Sequence, residues 1–339
     1  MADELSVVLV GCGGMSRAWL TVADNAPGVQ VVGLTDLRRE AAEQRAEDFE
    51  LGQDVVYDTQ EEALEACEPD IVFDCTVPEA HYEVTMKGLS AGCHVMGEKP
   101  LADSMEHARE MVARAEEVGK LYAVMQNRRY LPQAPAAAKM AQDGTIGKIT
   151  TVNVDFYIGA HFSGFRTEMD HPLLLDMAIH TFDQARQLTG ADPVSAYCKA
   201  FNPEGSWYKD GASAMCVFEM TNDIVLNYRG SWCSEGYNTP WAGSWRIIGT
   251  KGTELWSEDQ PRAEVIEDSD EFMSEMREVK AEEPPLEVTG HDACINEFLT
   301  CVREGGEPQT IASDNIKSLA MVFGAIESDA KGKPVEIDV

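Results

Sequence analysis

Asp176 and His180 stand four residues apart in a stretch, Leu173 to Thr189, whose apolar spacing predicts one amphipathic helix. On a helix that spacing places both side chains on one face. A carboxylate beside an imidazole raises its basicity and a nearby cation lowers it, so the three together can poise a base near neutral pH. A candidate cation is Lys99, which ends the apolar run His94-Val95-Met96 and precedes Pro100. The restricted backbone next to a proline aims such a lysine. Each feature also has a plainer reading. Asp176 and His180 suit a helix-surface pair worth roughly 0.2–0.5 kcal/mol, and Lys99 an ordinary surface lysine. A metal site using Asp176, His180 and His171 is a third reading, against which stands the lack of a further ligand cluster in the sequence.

A second pattern opens the chain. Val7-Val8-Leu9-Val10 reads as a strand buried on both faces, followed by Gly11-Cys12-Gly13-Gly14-Met15-Ser16 and a helical pattern from Arg17. A buried strand that enters a helix through such a turn leaves backbone N–H groups free at the positive end of the helix dipole, which suits a pyrophosphate. Gly11 permits the tight turn and Gly13 a close approach of phosphate. Ser16 stands at the third position of the glycine pattern, where helix and strand pack less tightly than over glycine. A second apolar run, Val29 to Leu34, leads to Asp36, roughly twenty residues beyond the turn. An acid there accepts from both hydroxyls of an adenosine ribose and repels a 2′-phosphate; its other reading is a cap for the helix from Arg38 to Phe49. Arg38 and Arg39 are near enough to accept a 2′-phosphate, so the spacing prefers NAD over NADP and leaves NADP open.

Composition narrows the partners. The 339 residues hold 27 basic and 59 acidic side chains, a formal net charge of −32. Such a surface repels nucleic acid and anionic lipid, so both are discarded as partners. A dinucleotide is itself anionic and needs a local positive field, for which Lys99, Arg17, Arg38 and Arg128 are candidates. Nine cysteines at irregular spacing, with no C-x-x-C, read as reduced thiols. The acidic start is unlike a signal peptide and no apolar run has the length of a membrane span, so a soluble, cytoplasmic protein is expected.

Strand and helix patterns alternate from residue 7 to about 126, with strands at 7–10, 29–34, 54–57, 71–75, 94–96 and 121–125. This rhythm predicts a doubly wound parallel sheet with ligands at the carboxyl ends of its strands. Those ends are the Thr76–His81 loop with Pro78, the Glu98-Lys99-Pro100 turn, and Gln126 to Tyr130. Past Tyr130 the pattern changes to long alternating strands with hairpin turns, broken by the Asp176/His180 helix. A mostly antiparallel sheet with one open face is expected. Residues 258–285, acidic and proline-rich, read as a surface excursion. The expected division is residues 1–128, a Rossmann dinucleotide-binding domain, and 129–339, an α+β domain for substrate binding and oligomerisation.

Taken together, Gly11-x-Gly13, Asp36, Pro78-x-x-His81, Glu98-Lys99-Pro100 and Asp176-x-x-x-His180 resemble the glucose–fructose oxidoreductase, inositol dehydrogenase and rhizopine-catabolism (Gfo/Idh/MocA) family, from residue 5 to about 335. The resemblance implies a bound nicotinamide dinucleotide, a sugar or polyol substrate, and a homodimer or homotetramer through the open sheet. It gives Lys99 the task of orienting the reacting hydroxyl, His180 that of acid/base, and Asp176 that of contacting the substrate or tuning the pair. The cofactor is expected along Gly11, Cys12, Gly13, Gly14 and Met15, with Asp36, Leu37 and Arg38 at its adenosine end. Thr76, Pro78, His81, Glu98, Lys99 and Asn127 are expected at its nicotinamide end. Arg128, Tyr157 and Arg166 join the trio as substrate-facing candidates, and Asn127 is a further one. Trp232, Tyr237 and Trp241 read either as sugar-stacking rings or as core and subunit contacts. The loop from Phe162 to Pro172 is longer and more polar than in simple family members, so Arg166 and His171 either reach the substrate or order the loop. Two other activities fit the same motifs: a glycoside-cleaving enzyme whose NAD cycles internally, and a non-catalytic sensor of sugar or dinucleotide.

Overall fold

A computed structural model describes residues 4–257, 259–268, 272–282 and 288–339. The expectation placed on the first three residues, and parts of the one placed on 258–285, lie outside these. In chain order the elements begin with β1 (Leu5–Val10), α1 (Ser16–Asn25), β2 (Val29–Thr35), α2 (Arg39–Asp48) and α3 (Gln60–Cys67). There follow β3 (Ile71–Asp74), α4 (His81–Ser90), β4 (His94–Gly97), α5 (Met105–Val118) and β5 (Tyr122–Val124). The later part holds α6 (Ala134–Gln142), β6 (Ile149–Tyr157), a π-helical segment (Leu173–Ala178) and α7 (Ile179–Thr189). Strands β7 (Pro193–Phe201), β8 (Ser213–Met220), β9 (Ile224–Ser231), β10 (Ser244–Gly249) and β11 (Gly252–Trp256) come next. The chain continues through β12 (Arg262–Asp268), β13 (Glu275–Lys280), α8 (Gly290–Glu304), α9 (Ala312–Lys331) and β14 (Val335–Glu336). Among the described residues no helix is long and apolar enough to cross a membrane.

Two compact units emerge: Met1–Asn127 with Val288–Ile316, and Arg128–Glu287 with Lys317–Val339. The sequence division at 128/129 differs from this by assigning Val288–Ile316 to the second half. In the structure that segment belongs with the first unit for a physical reason. Helix α8 buries Cys294, Ile295, Phe298 and Leu299 and packs on α1. The Thr310 carbonyl then accepts from Val124 N at 3.0 Å, and Ile311 bridges Ala123. The free edge of β5 is thereby covered.

The first unit is a parallel five-stranded sheet in the order β2-β1-β3-β4-β5. Its strands are short and almost wholly buried, as runs such as Leu5-Ser6-Val7-Val8-Leu9-Val10 and Ile71-Val72-Phe73-Asp74 require when helices cover both faces. The strand expected at residues 54–57 is absent. Gln53–Val55 forms a 3₁₀ turn there, and one isolated bridge joins Leu34 to Val56. Polar residues after Gly52 favour a turn over a strand.

The second unit carries a nine-stranded sheet in the order β13-β12-β11-β10-β6-β9-β8-β7-β14. Its described pairings are antiparallel except β6 with β9. Helix α7 lies against β8 and β9, with the Phe182 ring 4.9 Å from Phe218 and 5.1 Å from Tyr228. Beneath it Arg129 clamps Asp183 with two hydrogen bonds of 2.7 and 2.8 Å, and Ser318 Oγ donates to the same carboxylate at 2.8 Å. The expected surface excursion is corrected in part: β12 and β13 extend the sheet as a hairpin, because Ala263 and Val265 alternate with charged residues and turn inward.

Glu254 on β11 is fully buried, and neither carboxylate oxygen has a hydrogen-bond partner among the described residues. Burial, aided by Asp143, raises its pKa to about 8. A carboxyl whose folded pKa lies above its unfolded value holds its proton longer in the native state, so stability falls as pH rises between the two values. Thermal unfolding from pH 5 to pH 8 should therefore show the melting temperature falling faster than in Glu254→Gln, which should be the more stable at pH 8. Parallel curves for the two proteins would refute the buried-proton account.

Candidate cofactor and substrate sites

In the first unit the turn after β1 is fixed by close approach of main chains. Gly11 has φ of +91°, and a Cβ on it would lie 2.7 Å from the Cys75 carbonyl carbon. No other residue fits there. At Gly13 and Gly14 a Cβ would meet nothing within 4 Å, so both face open space. Next to this turn is a cavity of about 610 Å³ lined by residues including Gly11, Gly13, Asp36, Leu37, Thr76 and Val77. The side chains of Leu37 and Val77 are exposed apolar groups on its rim, and Met15 is exposed at the start of α1.

Asp36 directly follows β2, as the sequence spacing requires. Its Oδ2 accepts from Cys12 N and its Oδ1 from Arg38 N, each at 2.8 Å. Each oxygen retains a lone pair for a ribose hydroxyl. Of the basic residues expected to supply a positive field, Arg38 lies 3.8 Å from Asp36 and Arg17 is paired with Asp48 at 2.6 Å. Arg39 pairs with Asp58 and Glu43, and Lys87 with Glu61 and Glu83. Asp58, Glu61 and Glu83 line the same cavity with Asp36, Arg38 and Lys87, so its wall carries more acid than base.

The loop after β3 is organised by Asp74, whose side chain is fully buried. Asp74 Oδ1 accepts from Thr76 N at 3.0 Å and from Thr76 Oγ1 at 2.5 Å. His81 Nδ1 donates to Asp74 Oδ2 at 2.8 Å. Burial opposes the imidazolium of His81, and the Asp74 carboxylate outweighs it, so the pKa is raised. His81 is thus placed behind the loop, at 1% exposure, holding Thr76 while Pro78 opens the helical turn. Glu98 is likewise buried: its Oε1 accepts from Trp19 Nε1 at 2.8 Å, tying α1 to the turn after β4. Half-buried Lys99 follows, joined to Pro100 by a cis peptide bond. Asn127 Nδ2 lies 3.3 Å from Nδ1 of His291, a residue the sequence reading missed.

In the second unit Asp176 falls in the π-helical segment and His180 in the first turn of α7, correcting the expected single α-helix. Both are 7% exposed. Arg166 Nε donates to Asp176 Oδ2 at 2.6 Å, and its guanidinium lies 5.2 Å from the Phe162 ring centre and 4.7 Å from that of Phe165. Arg128 is buried beside Phe156 and donates through Nη2 to Met177 Sδ at 2.8 Å. Burial lowers its pKa to about 10, against the opposing pull of Tyr228 and Asp176. His171 has φ of +50° and approaches Gly211 so closely that a Cβ there would lie 2.8 Å from its Cα. Tyr157 is half-buried on β6, its backbone exchanging hydrogen bonds with Thr239. Trp232 is fully buried and stacks on Tyr208, so it is a core ring; Tyr237 and Trp241 are exposed.

A glycine turn after the first strand, an acid just past the second and a parallel sheet in this arrangement define a dinucleotide-binding Rossmann protein. Residues 5–126 match the oxidoreductase family with an NAD-binding Rossmann fold, and residues 135–254 match the GFO/IDH/MocA C-terminal domain. The chain belongs to the Gfo/Idh/MocA family and is an NAD-binding oxidoreductase. It is 26% identical to scyllo-inositol 2-dehydrogenase (NAD(+)) of Bacillus subtilis, over 93% of this chain and 91% of that protein. It is 27% identical to D-apiose dehydrogenase of Paraburkholderia graminis, over 97% and 88%. An oxidoreductase from Agrobacterium radiobacter, crystallised with NAD+, L-tartaric acid and magnesium, shares the fold at a TM-score of 0.87 and 21% identity, each chain 99% covered.

Replacing Asp36 by alanine should weaken NADH binding about tenfold and narrow the gap to NADPH, because two backbone N–H groups and the ribose lose one acceptor. Fluorescence titration with each reduced cofactor measures this. An unchanged NADH/NADPH ratio would rule out the ribose contact.

Proposed function

We propose that the protein oxidises a secondary alcohol of a sugar, inositol or related polyol, with NAD in preference to NADP. The observation that carries the reading is that Asp176 and His180, four residues apart across the junction of the π-helical segment and α7, are both buried, with Arg166 on the carboxylate. A carboxylate and an imidazole buried this close in sequence are unfavourable without compensation, and groups of this kind cluster at functional sites. Support for the substrate class comes from relatives named for D-apiose, scyllo-inositol and 1,5-anhydro-D-fructose. Support for NAD comes from Asp36 and the acidic cavity wall.

NAD, when bound, supplies the acceptor for the hydride that leaves the carbinol carbon. His180 takes the hydroxyl proton as general base. Lys99 donates a hydrogen bond to the developing alkoxide and stabilises its charge. Asp176 holds the substrate and biases His180, while Arg166 compensates part of its charge. Gly11, Gly13 and Gly14 seat the pyrophosphate, Asp36 takes the adenosine ribose, and the Thr76 loop with Glu98 and Asn127 shapes the nicotinamide end. Arg128 and Tyr157 stand as further substrate contacts.

The second unit also offers a surface for self-association, as a homodimer or homotetramer. Tyr197, Met215, Val217 and Val225 are exposed on one face of adjoining strands, with Tyr197 directly opposite Val217. An apolar patch of this kind marks an interface.

A panel of sugars, inositols and sugar acids with NAD, followed by absorbance of the reduced cofactor, should identify a substrate; a blank panel would overturn the proposal. On that substrate Lys99→Ala and His180→Ala should each lower turnover by roughly 10²–10⁴-fold while the NADH dissociation constant stays within about twofold. Loss of cofactor affinity equal to the loss of rate would refute these roles. Val217→Lys should shift the protein to a smaller species in light scattering, and an unchanged mass would exclude this face as the contact.

A further inference from the structure

We propose that Arg45 is a positioning residue for cofactor binding, holding the glycine turn in its phosphate-receiving form, and that Ser16 assists it. A turn that aims its N–H groups at an anion must direct its carbonyls elsewhere and satisfy them. Arg45, 9% exposed on α2, reaches across with Nη2 to the Cys12 carbonyl at 3.3 Å and the Gly13 carbonyl at 3.0 Å. Ser16, fully buried, donates through Oγ to the same Gly13 carbonyl at 2.6 Å. The serine that replaces a smaller residue in the glycine pattern is therefore a second anchor. Cys12 is held at both ends of its backbone, its N–H by Asp36 and its C=O by Arg45.

The guanidinium is itself fixed. Arg45 Nη1 donates to Asp48 Oδ2 at 2.8 Å, and Arg17 Nη2 reaches the same oxygen at 2.6 Å. Asp48 thus ties Arg45 and Arg17 together beside the turn, which fixes the guanidinium that reaches the two carbonyls. Charge-assisted hydrogen bonds to carbonyls are stronger than neutral ones and are less readily replaced by water when buried. A turn ordered before the ligand arrives avoids the entropy of ordering it on binding. Arg45 acts through Cys12 and Gly13, so its loss should be felt by the pyrophosphate and not by the adenosine.

The inference rests on the proposed seat of the pyrophosphate at this turn. Calorimetry with ADP and with adenosine separates the two claims. If the seat is wrong, the wild-type protein shows no preference for ADP over adenosine. If the seat is right and Arg45 has no such role, that preference survives in Arg45→Met. The expected result is a fall in ADP affinity of about ten- to a hundredfold in Arg45→Met with adenosine affinity within about twofold, and partial recovery in Arg45→Lys. Ser16→Ala, which keeps the guanidinium, should lower ADP affinity by a smaller factor with adenosine again unchanged, and serves if Arg45→Met fails to fold. Equal weakening of ADP and adenosine, or ADP affinity unchanged in a folded variant, would overturn the proposal.

Discussion

Asp74 holds a carboxylate with no access to water, and the first unit is arranged around satisfying it. An uncompensated buried carboxylate is among the most unfavourable groups a fold can contain, so its partners are strongly specified. Thr76 contributes a backbone N–H and a hydroxyl, and His81 a ring N–H. The carbonyl of Asp74 accepts from Glu98 N at 2.8 Å, so the end of β3 also fixes where the chain leaves β4 toward Lys99. Glu98 is fixed again from the other side by Trp19 on α1. One buried charge thereby sets the Thr76 loop, the Glu98-Lys99-Pro100 turn and, through Trp19, the helix that follows the glycine turn. His81 belongs to this scaffold, and its pairing with Asp74 explains why a histidine stands at a position with almost no exposure.

The acidic composition makes the electrostatics of the cofactor site more demanding. A surplus of exposed arginine or lysine at the cleft would not solve it, because acidic neighbours take up such groups, as Asp48 does Arg17 and Glu61 and Glu83 do Lys87. What remains for an anion is the set of backbone N–H groups at a helix start, whose partial charges cannot be paired away by side chains. The cavity beside the glycine turn is lined by Asp36, Asp58, Glu61 and Glu83 together with Arg38 and Lys87, so acids outnumber bases on its wall.

Local features of this design were legible in the sequence. The glycine turn, the position of Asp36 and the alternation of strand and helix depend on residues close together in the chain, and the structure reproduces them. Arg45 and His291 were not legible, because each acts on a partner far along the chain. The role of Asp74 was hidden because its burial, which makes its near partners Thr76 and His81 obligatory, is set by the rest of the sheet. Asp74 appears in the sequence as the polar end of an apolar run, and Arg45 as one more charge on a charged helix. The same reason hid the return of Val288–Ile316 to the first unit: nothing near those residues states that α8 covers α1. In β12 the acidic composition masked an ordinary alternation, in which Ala263 and Val265 are the inward members.

The segment carrying Asp176 shows where periodicity itself misleads. The i,i+4 rule that places Asp176 and His180 on one face assumes a continuous α-helix, and the π-helical turns at Leu173–Ala178 break that assumption. A π-segment is rare overall and frequent at functional sites, where its wider turn re-aims a side chain without unfolding the helix. Here both side chains are 7% exposed across the change of helix type, so each is turned inward by the packing. A buried carboxylate is stabilised by a cation, and Arg166 meets Asp176 from the preceding loop with its guanidinium lying near the Phe162 and Phe165 rings. The extra polar length of that loop is therefore accounted for first by the needs of Asp176. Whatever Arg166 contributes to a ligand, it contributes with the N–H groups left over after that pairing.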